Sequence, residues 1–471
     1  MKRIVSFSLL FVLVLALLCG CSSQDDTVMK IGETEISAME YNYTYYTQVQ
    51  NFYNSYGDYL SYFKIDPEKP LKEQPCTVTE TEQSWAEFFM DQTDDILQQV
   101  FCFYNAAVAE GMELSEEYRL QVDAFVLSAT EVAALESRSL DDYLSEYYGE
   151  GLNEAKYREF LSRRFLASQY CDEKLSAIVH SDADFEAYYA KNSDAMDLVD
   201  FRYYTITAEY LPADSSAATE TDVEAAVKAL ADSFAENLTS EEEFKRRAVE
   251  FAPAKLKESY EPDNATLAAD IASSRLTGTV SAWLFDQSRK TGDVLVQKTA
   301  TETYSIYYFI SRHRDERPMA SMRHLLLSVT TNEDGSSDDA QVYEKIQGLY
   351  AQWQSSSYSE SVFVDLVAKN STDSGSKDTG GLYENFTSGT MVSEIDRWLF
   401  GETRTSNDTA IIKTTYGYHI VWFLSYGEIS WKYQCLPGLQ DEDYYALLEG
   451  LKESNPVTFR ADYRDVVGNN E

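Results

Sequence analysis

A tripeptide, Trp283-Leu284-Phe285, returns 115 residues later as Trp398-Leu399-Phe400, and Lys298 returns at the same offset as Lys413. Five apolar positions upstream recur at a nearby offset of 119: Val223, Val227, Leu230, Phe234 and Phe244 answer to Val342, Ile346, Leu349, Trp353 and Phe363. Helical periodicity alone produces apolar matches at many offsets, so these five pairs are weak support. The identical tripeptide with its following lysine is much harder to obtain by chance. Self-similarity at a fixed offset means tandem copies of one folding unit. We place two α+β copies at 195–312 and 320–427, with Phe201-Arg202-Tyr203 aligned on Met322-Arg323-His324.

With 471 residues the chain needs several cores. Val28 to Ile36 alternates enough for a strand turning at Gly32. Ser37-Ala38-Met39-Glu40 then reads as a capping box that opens a tyrosine-rich helix. A second helix carries Trp85, Phe88, Phe89, Ile96, Val100 and Phe103 at helical spacing and ends near Gly111. Helical stretches continue to about residue 190, one of them opening at Ser181-Asp182, so 21–192 reads as a helical domain. Arg312 to Pro318 is a charged junction between the copies, and His313 reads as a solvated linker residue. Residues 428–471 read as a C-terminal tail with a short helix over Tyr444–Lys452.

The first residues set an expected compartment. Lys2 and Arg3 precede an apolar stretch from Ile4 to Leu18, which is shorter than the ~20 residues that span a bilayer. Residues 1–20 therefore read as a signal peptide. Gly20-Cys21 resembles a bacterial lipobox, which implies lipid modification of Cys21 and anchoring at the outer face of the cytoplasmic membrane. A formal net charge of −40 argues against nucleic acid or an anionic membrane face as main partner. Cys76, Cys102, Cys171 and Cys435 are scattered without CxxC spacing, so neither a disulfide scaffold nor a zinc knuckle can be read from them.

Two of the four histidines stand in short motifs about a hundred residues apart: Met322-Arg323-His324-Leu325-Leu326-Leu327 and Thr414-Thr415-Tyr416-Gly417-Tyr418-His419. Between them come Ser371-Thr372-Asp373-Ser374, Gly380-Gly381 and Gly389-Thr390-Met391. In order and spacing, roughly residues 320–427 resemble the parvulin (rotamase) family of peptidyl-prolyl cis/trans isomerases. The whole chain resembles the PrsA and SurA group of foldases: an α+β multidomain protein with an all-helical SurA-like N-terminal domain, then two tandem parvulin-like domains, the first degenerate. Tyr203 and Ser305 occupy the places of His324 and His419 in the first copy, which also lacks the Gly-Gly pair and the aspartate.

The resemblance implies a site. His324, Asp373, Thr414 and His419 would form its polar part, with the two imidazoles hydrogen-bonded in the sheet interior. Met391 and Ile395, one helical turn apart, would line a proline pocket with Tyr383 and Phe386, and Tyr416 would close the approach. Gly380-Gly381 would make a tight turn at the pocket edge. The family commonly has Gly-Gly-Asp-Leu-Gly where this chain has Gly380-Gly381-Leu382-Tyr383-Glu384, and phenylalanine at the place of Ile395. The implied activity is isomerisation of X-Pro bonds in unfolded or partly folded secreted polypeptides, without cofactor or metal. The alternative is a holdase without useful isomerase activity. A metal site on His324, His419 and Asp373 lacks HExxH-type spacing, no GxSxG nucleophile elbow occurs, and a solute-binding lipoprotein would need βαβ halves that are not evident.

Overall fold

The computed structural model describes residues 27–211, 219–331 and 336–468. The expected signal peptide and Cys21 lie outside the described residues. Among those described, no helix is long and apolar enough to cross a membrane. The chain divides into two units: residues 1–179 with 440–471, and residues 180–439.

In the first unit β1 (Thr27–Ile31) and β2 (Thr34–Ser37) form a hairpin, with Gly32 at φ +57° in its turn. The strand Val457–Phe459 pairs with the other edge of β1, so the helical body carries a three-stranded sheet. Helix Ala38–Tyr56 starts where expected, with the Ser37 hydroxyl accepting from Glu40 N at 3.2 Å. The capping box is only half formed. The Glu40 carboxylate turns inward to pair with Arg163 at 2.6 Å, and burial pushes its acid up to about 7 against that pairing. A complete box caps helix Trp85–Ala109, through Ser84 and Glu87. That helix buries Trp85, Phe89, Thr93, Leu97 and Phe101 at four-residue spacing.

The second unit begins with helix Asp182–Met196, capped by Ser181. Two four-stranded antiparallel sheets follow. The first is ordered β4-β3-β6-β5, with β3 Leu198–Thr207, β4 Leu267–Ala272, β5 Val294–Ala300 and β6 Thr303–His313. The second is ordered β8-β7-β10-β9, with β7 Pro318–Ser328, β8 Leu382–Phe386, β9 Thr409–Thr414 and β10 Gly417–Ile429. The two orders are the same topology, so the repeat is structural. Register confirms it: Tyr203 faces Tyr307 as His324 faces Val421, and Thr205 faces Ser305 as Leu326 faces His419.

Packing explains which residues recur. One face of each sheet is covered by two helices, Glu220–Ala235 with Glu241–Phe251 in the first copy and Asp339–Ser355 with Glu360–Asn370 in the second. These bury Val227, Phe234 and Phe244, and correspondingly Ile346, Trp353 and Phe363. The opposite face is covered by the short helices Gly278–Leu284 and Ser393–Phe400, which sink Leu284 and Leu399 of the repeated tripeptide to full burial. Its tryptophans carry stacked guanidiniums, Arg289 over Trp283 and Arg404 over Trp398. The repeated lysine clamps the first helix of each copy to its sheet. Lys298 reaches Glu224 at 2.7 Å and Lys413 reaches Asp339 at 2.6 Å, each acid also accepting from a strand tyrosine.

The tail differs from expectation. Its helix runs over Ser430–Lys452, passing through Pro437-Gly438, a pair that reads as a stop signal in sequence. Gly438 sits so close under the Tyr188 ring that a Cβ there would collide with it.

Candidate functional site

His324 lies in the middle of β7, and His419 near the start of β10. His324 is level with Val421, two residues from His419, so the histidines are diagonal neighbours on one face. That face also carries Met322, Val421 and Phe423, whereas Leu325, Leu327 and Ile420 point into the two-helix core. Alternation of side chains along the strands thus separates the site from the main core.

The polar groups form one chain. Asp373 Oδ2 lies 2.8 Å from His324 Nε2, the two Nδ1 atoms are 3.2 Å apart, and His419 Nε2 is 2.8 Å from Thr414 Oγ1. Thr414 Oγ1 already accepts from Tyr416 N at 3.1 Å, so its own hydrogen is free to point at His419 Nε2. His419 Nδ1–H then donates to His324 Nδ1, and His324 Nε2–H donates to the carboxylate. This order satisfies every group with both rings neutral.

The electrostatics agree. Burial pushes the His324 imidazole down against the pull of Asp373, and it pushes His419 down to about 4, with His324 adding to the effect. Burial acts to raise Asp373, but hydrogen bonds with Ser376 and His324 outweigh it and hold the acid at about 2. At neutral pH the site is therefore one carboxylate beside two neutral rings.

The loop between Ser371 and Gly381 is laced along β7. Thr372 N donates to Leu326 O at 2.9 Å, and His324 N donates to Gly381 O at 2.8 Å. Gly380 and Gly381 have φ of +67° and +77°, and a Cβ on Gly381 would collide with the His324 carbonyl oxygen. The pair lets the loop approach the histidine backbone. Ser376, absent from the expected site, is 1% exposed; its hydroxyl donates to Asp373 and lies 3.1 Å from His324 Nε2. The only signal for it in the sequence is its place three residues after Asp373.

Tyr383 joins the polar chain to the apolar wall. Its hydroxyl donates to Asp373 Oδ2 at 3.1 Å and its ring meets His324 edge-on at 5.2 Å. The same ring packs in a cluster with Phe386, Met391 and Ile395. Two expectations need correction. Met391 precedes the helix, which starts at Ser393, so Met391 and Ile395 do not share a helical turn. Ile395 is 2% exposed and supports the wall from behind rather than lining an open face. Tyr416 sits in the β9–β10 turn, 62% exposed, and its backbone N–H donates to Thr414 Oγ1.

Residues 324–424 match the rotamase model, described as a PPIC-type PPIase domain. The second copy is a parvulin-type rotamase domain. No curated protein matches the chain. Among solved structures, the peptidylprolyl isomerase PrsA of Bacillus anthracis is 20% identical over 30% of this chain and 59% of its own, with a TM-score of 0.20. PrsA of Bacillus cereus is 14% identical over 62% of this chain and 95% of its own, at 0.18. A SurA-like chaperone structure from Campylobacter jejuni, described with PEB4 and Cj1289, is 17% identical over 60% and 96%, at 0.17. With TM-scores this low, the residues of the rotamase domain carry the functional reading.

Proposed function

We propose that the protein is a foldase whose rotamase domain accelerates cis/trans isomerisation of X-Pro bonds in unfolded polypeptides. The observation that carries this reading is the continuous chain from Asp373 through His324 and His419 to Thr414, set against the Tyr383–Phe386–Met391 wall. Unaided, an X-Pro bond turns over in tens to hundreds of seconds, across a barrier of about 20 kcal/mol. A 10⁴-fold acceleration takes about 5.4 kcal/mol of transition-state preference. No bond breaks, so positioning and electrostatics suffice.

The planar amide places partial negative charge on its carbonyl oxygen, and the twisted amide loses it. An anionic Asp373 beside that carbonyl disfavours the planar form more than the twisted one. The apolar wall grips the proline ring, and the neutral histidine pair fixes Asp373 without cancelling its charge. Substrates would be secreted chains, met at the outer face of the cytoplasmic membrane if Cys21 carries lipid. Fatty-acid labelling that disappears in Cys21→Ala tests the anchor.

NMR exchange on a panel of X-Pro peptides tests the activity. We expect acceleration by the parent that falls at least tenfold in Asp373→Ala and Met391→Ala. A folded parent that accelerates no peptide overturns the enzymatic reading and leaves a holdase.

A further inference from the structure

The first copy has lost the histidines of the site but holds another, His313, at the end of β6. It is not a solvated linker residue. His313 Nε2 lies 3.1 Å from Asp270 Oδ1, and His313 Nδ1 lies 3.7 Å from Asp200 Oδ2. One nitrogen of His313 and one oxygen from each aspartate all fall within 4.8 Å of one another. We propose that Asp200, Asp270 and His313 form a structural divalent-cation site, with zinc as the ion that fits it best.

The backbone aims these side chains. Asp200 sits where both neighbouring strands shift register by one residue, β4 bulging at Ala269–Asp270 and β6 at Ile310, and Asp270 takes φ +57°. The second copy repeats this scaffold with other residues. Ser321 stands at the corresponding register shifts, opposite Glu384–Asn385 of β8 and Leu424 of β10, Asn385 has φ +49°, and Gly427 replaces the histidine. Asp270 N donates to Asp200 Oδ1 at 2.8 Å as Asn385 N donates to Ser321 Oγ at 3.1 Å. Backbone strain is thus common to both copies and does not distinguish them. The donor set does: the first copy places an imidazole and two carboxylates where the second has a hydroxyl, an amide and no side chain.

Charge points the same way. Asp270 Oδ2 pairs with Arg317 at 2.8 Å, and Arg317 also pairs with the buried Asp315 at 2.6 Å. Ser311 donates to Asp200 Oδ2 at 2.9 Å and adds no charge. Three carboxylates therefore face one guanidinium, an excess that one divalent ion neutralises. Imidazole nitrogen with carboxylate oxygen suits zinc at bonds of about 2.0–2.2 Å, with water completing a tetrahedron. The 3.1 Å between Nε2 and Asp270 Oδ1 already fits two donors on one such ion, and Asp200 is the neighbouring carboxylate that would supply the third. The ion would tie β3, β4 and β6 together where the chain leaves for the second copy.

The test titrates ZnCl2 into the untagged full chain, stripped of metal, by calorimetry, and takes X-ray absorption on the loaded protein. We expect one zinc per chain and a ligand shell with a single imidazole. His313→Gln and Asp270→Asn should each weaken binding by about 100-fold, while His324→Gln leaves it unchanged. Absence of stoichiometric binding overturns the site. So does binding that survives His313→Gln, or a shell with two imidazoles, which would place the ion on the His324–His419 pair. Should a variant fail to fold, the imidazole count in the parent still decides.

Discussion

His419 carries the most direct consequence at the scale of single residues. Its folded-state pKa of about 4 lies below the usual value of 6.5, so the unfolded chain takes up a proton first on acidification. The stability tied to its neutral form is present above pH 6.5 and is lost as pH falls towards 4. One group shifted this far is worth about 3 kcal/mol across that window. Asp373 works in a lower window, because its acid is held near 2 and its contribution fades only below the usual carboxylate range. Denaturant midpoints of the rotamase domain should therefore drop between pH 7 and pH 5, and His419→Gln should flatten the drop. Equal midpoints at both pH values in the parent would show that the histidine pair is not held neutral. Isomerase activity should be level from pH 8 to about 6.5, since neither ring nor carboxylate changes charge there. Thr414→Val should cost about 1–2 kcal/mol by removing the hydroxyl that His419 Nε2 needs.

At the scale of elements, the loop between Ser371 and Gly381 holds the site together through its glycines. Gly381→Ala sets a Cβ against the His324 carbonyl at φ +77°, whereas Gly389→Ala, at φ +83°, meets only the end of the Arg275 side chain at 3.9 Å, an ordinary contact. Both suffer backbone strain of about 1 kcal/mol, and only Gly381→Ala adds a collision with backbone. We expect Gly381→Ala to lose about 3 kcal/mol or more of stability and most of the isomerase activity, with Gly389→Ala nearly unchanged in activity. Thermal melts and peptide exchange on the two variants check this, and matched losses would mean that strain alone governs the loop. The same elements show why some of the molecule was legible in sequence. Trp283-Leu284-Phe285 and Lys298 repeat because each fills the same packing or pairing role in both sheets, so the two copies could be read without coordinates. His324, Asp373, Thr414 and His419 were legible through their order. Ser376 was not, because a serine in a loop becomes a site residue only when Gly380-Gly381 bring the loop against β7. His313 misled for the opposite reason: charged neighbours suggested a linker, and only strand register puts it against Asp200 and Asp270. Pro437-Gly438 hid a helix whose glycine is required by the Tyr188 ring, a contact that no local pattern encodes.

At the scale of the whole molecule, the first unit is closed by chain from both ends of the sequence. Val457–Phe459 pairs with β1, Val467 is fully buried in the core with Tyr45 and Trp85, and Tyr463 and Arg464 bind Asp94 and Asp91. Sequence patterns report neighbours a few residues apart, so a strand pairing that spans more than four hundred positions leaves no trace in them. The closure is nonlocal, and its loss should be felt throughout the unit it closes. Deleting residues 456–471 removes the third strand of the sheet and a core side chain, while every residue of the rotamase site lies in the other unit. The melting transition of the first unit should fall by about 10 °C or more, and X-Pro exchange on short peptides should change less than about twofold. Calorimetry and exchange on the same truncated chain separate the outcomes. A truncated protein that loses both together would mean that the two units fold as one cooperative body, and that the rotamase domain depends on the terminal strand for its own stability.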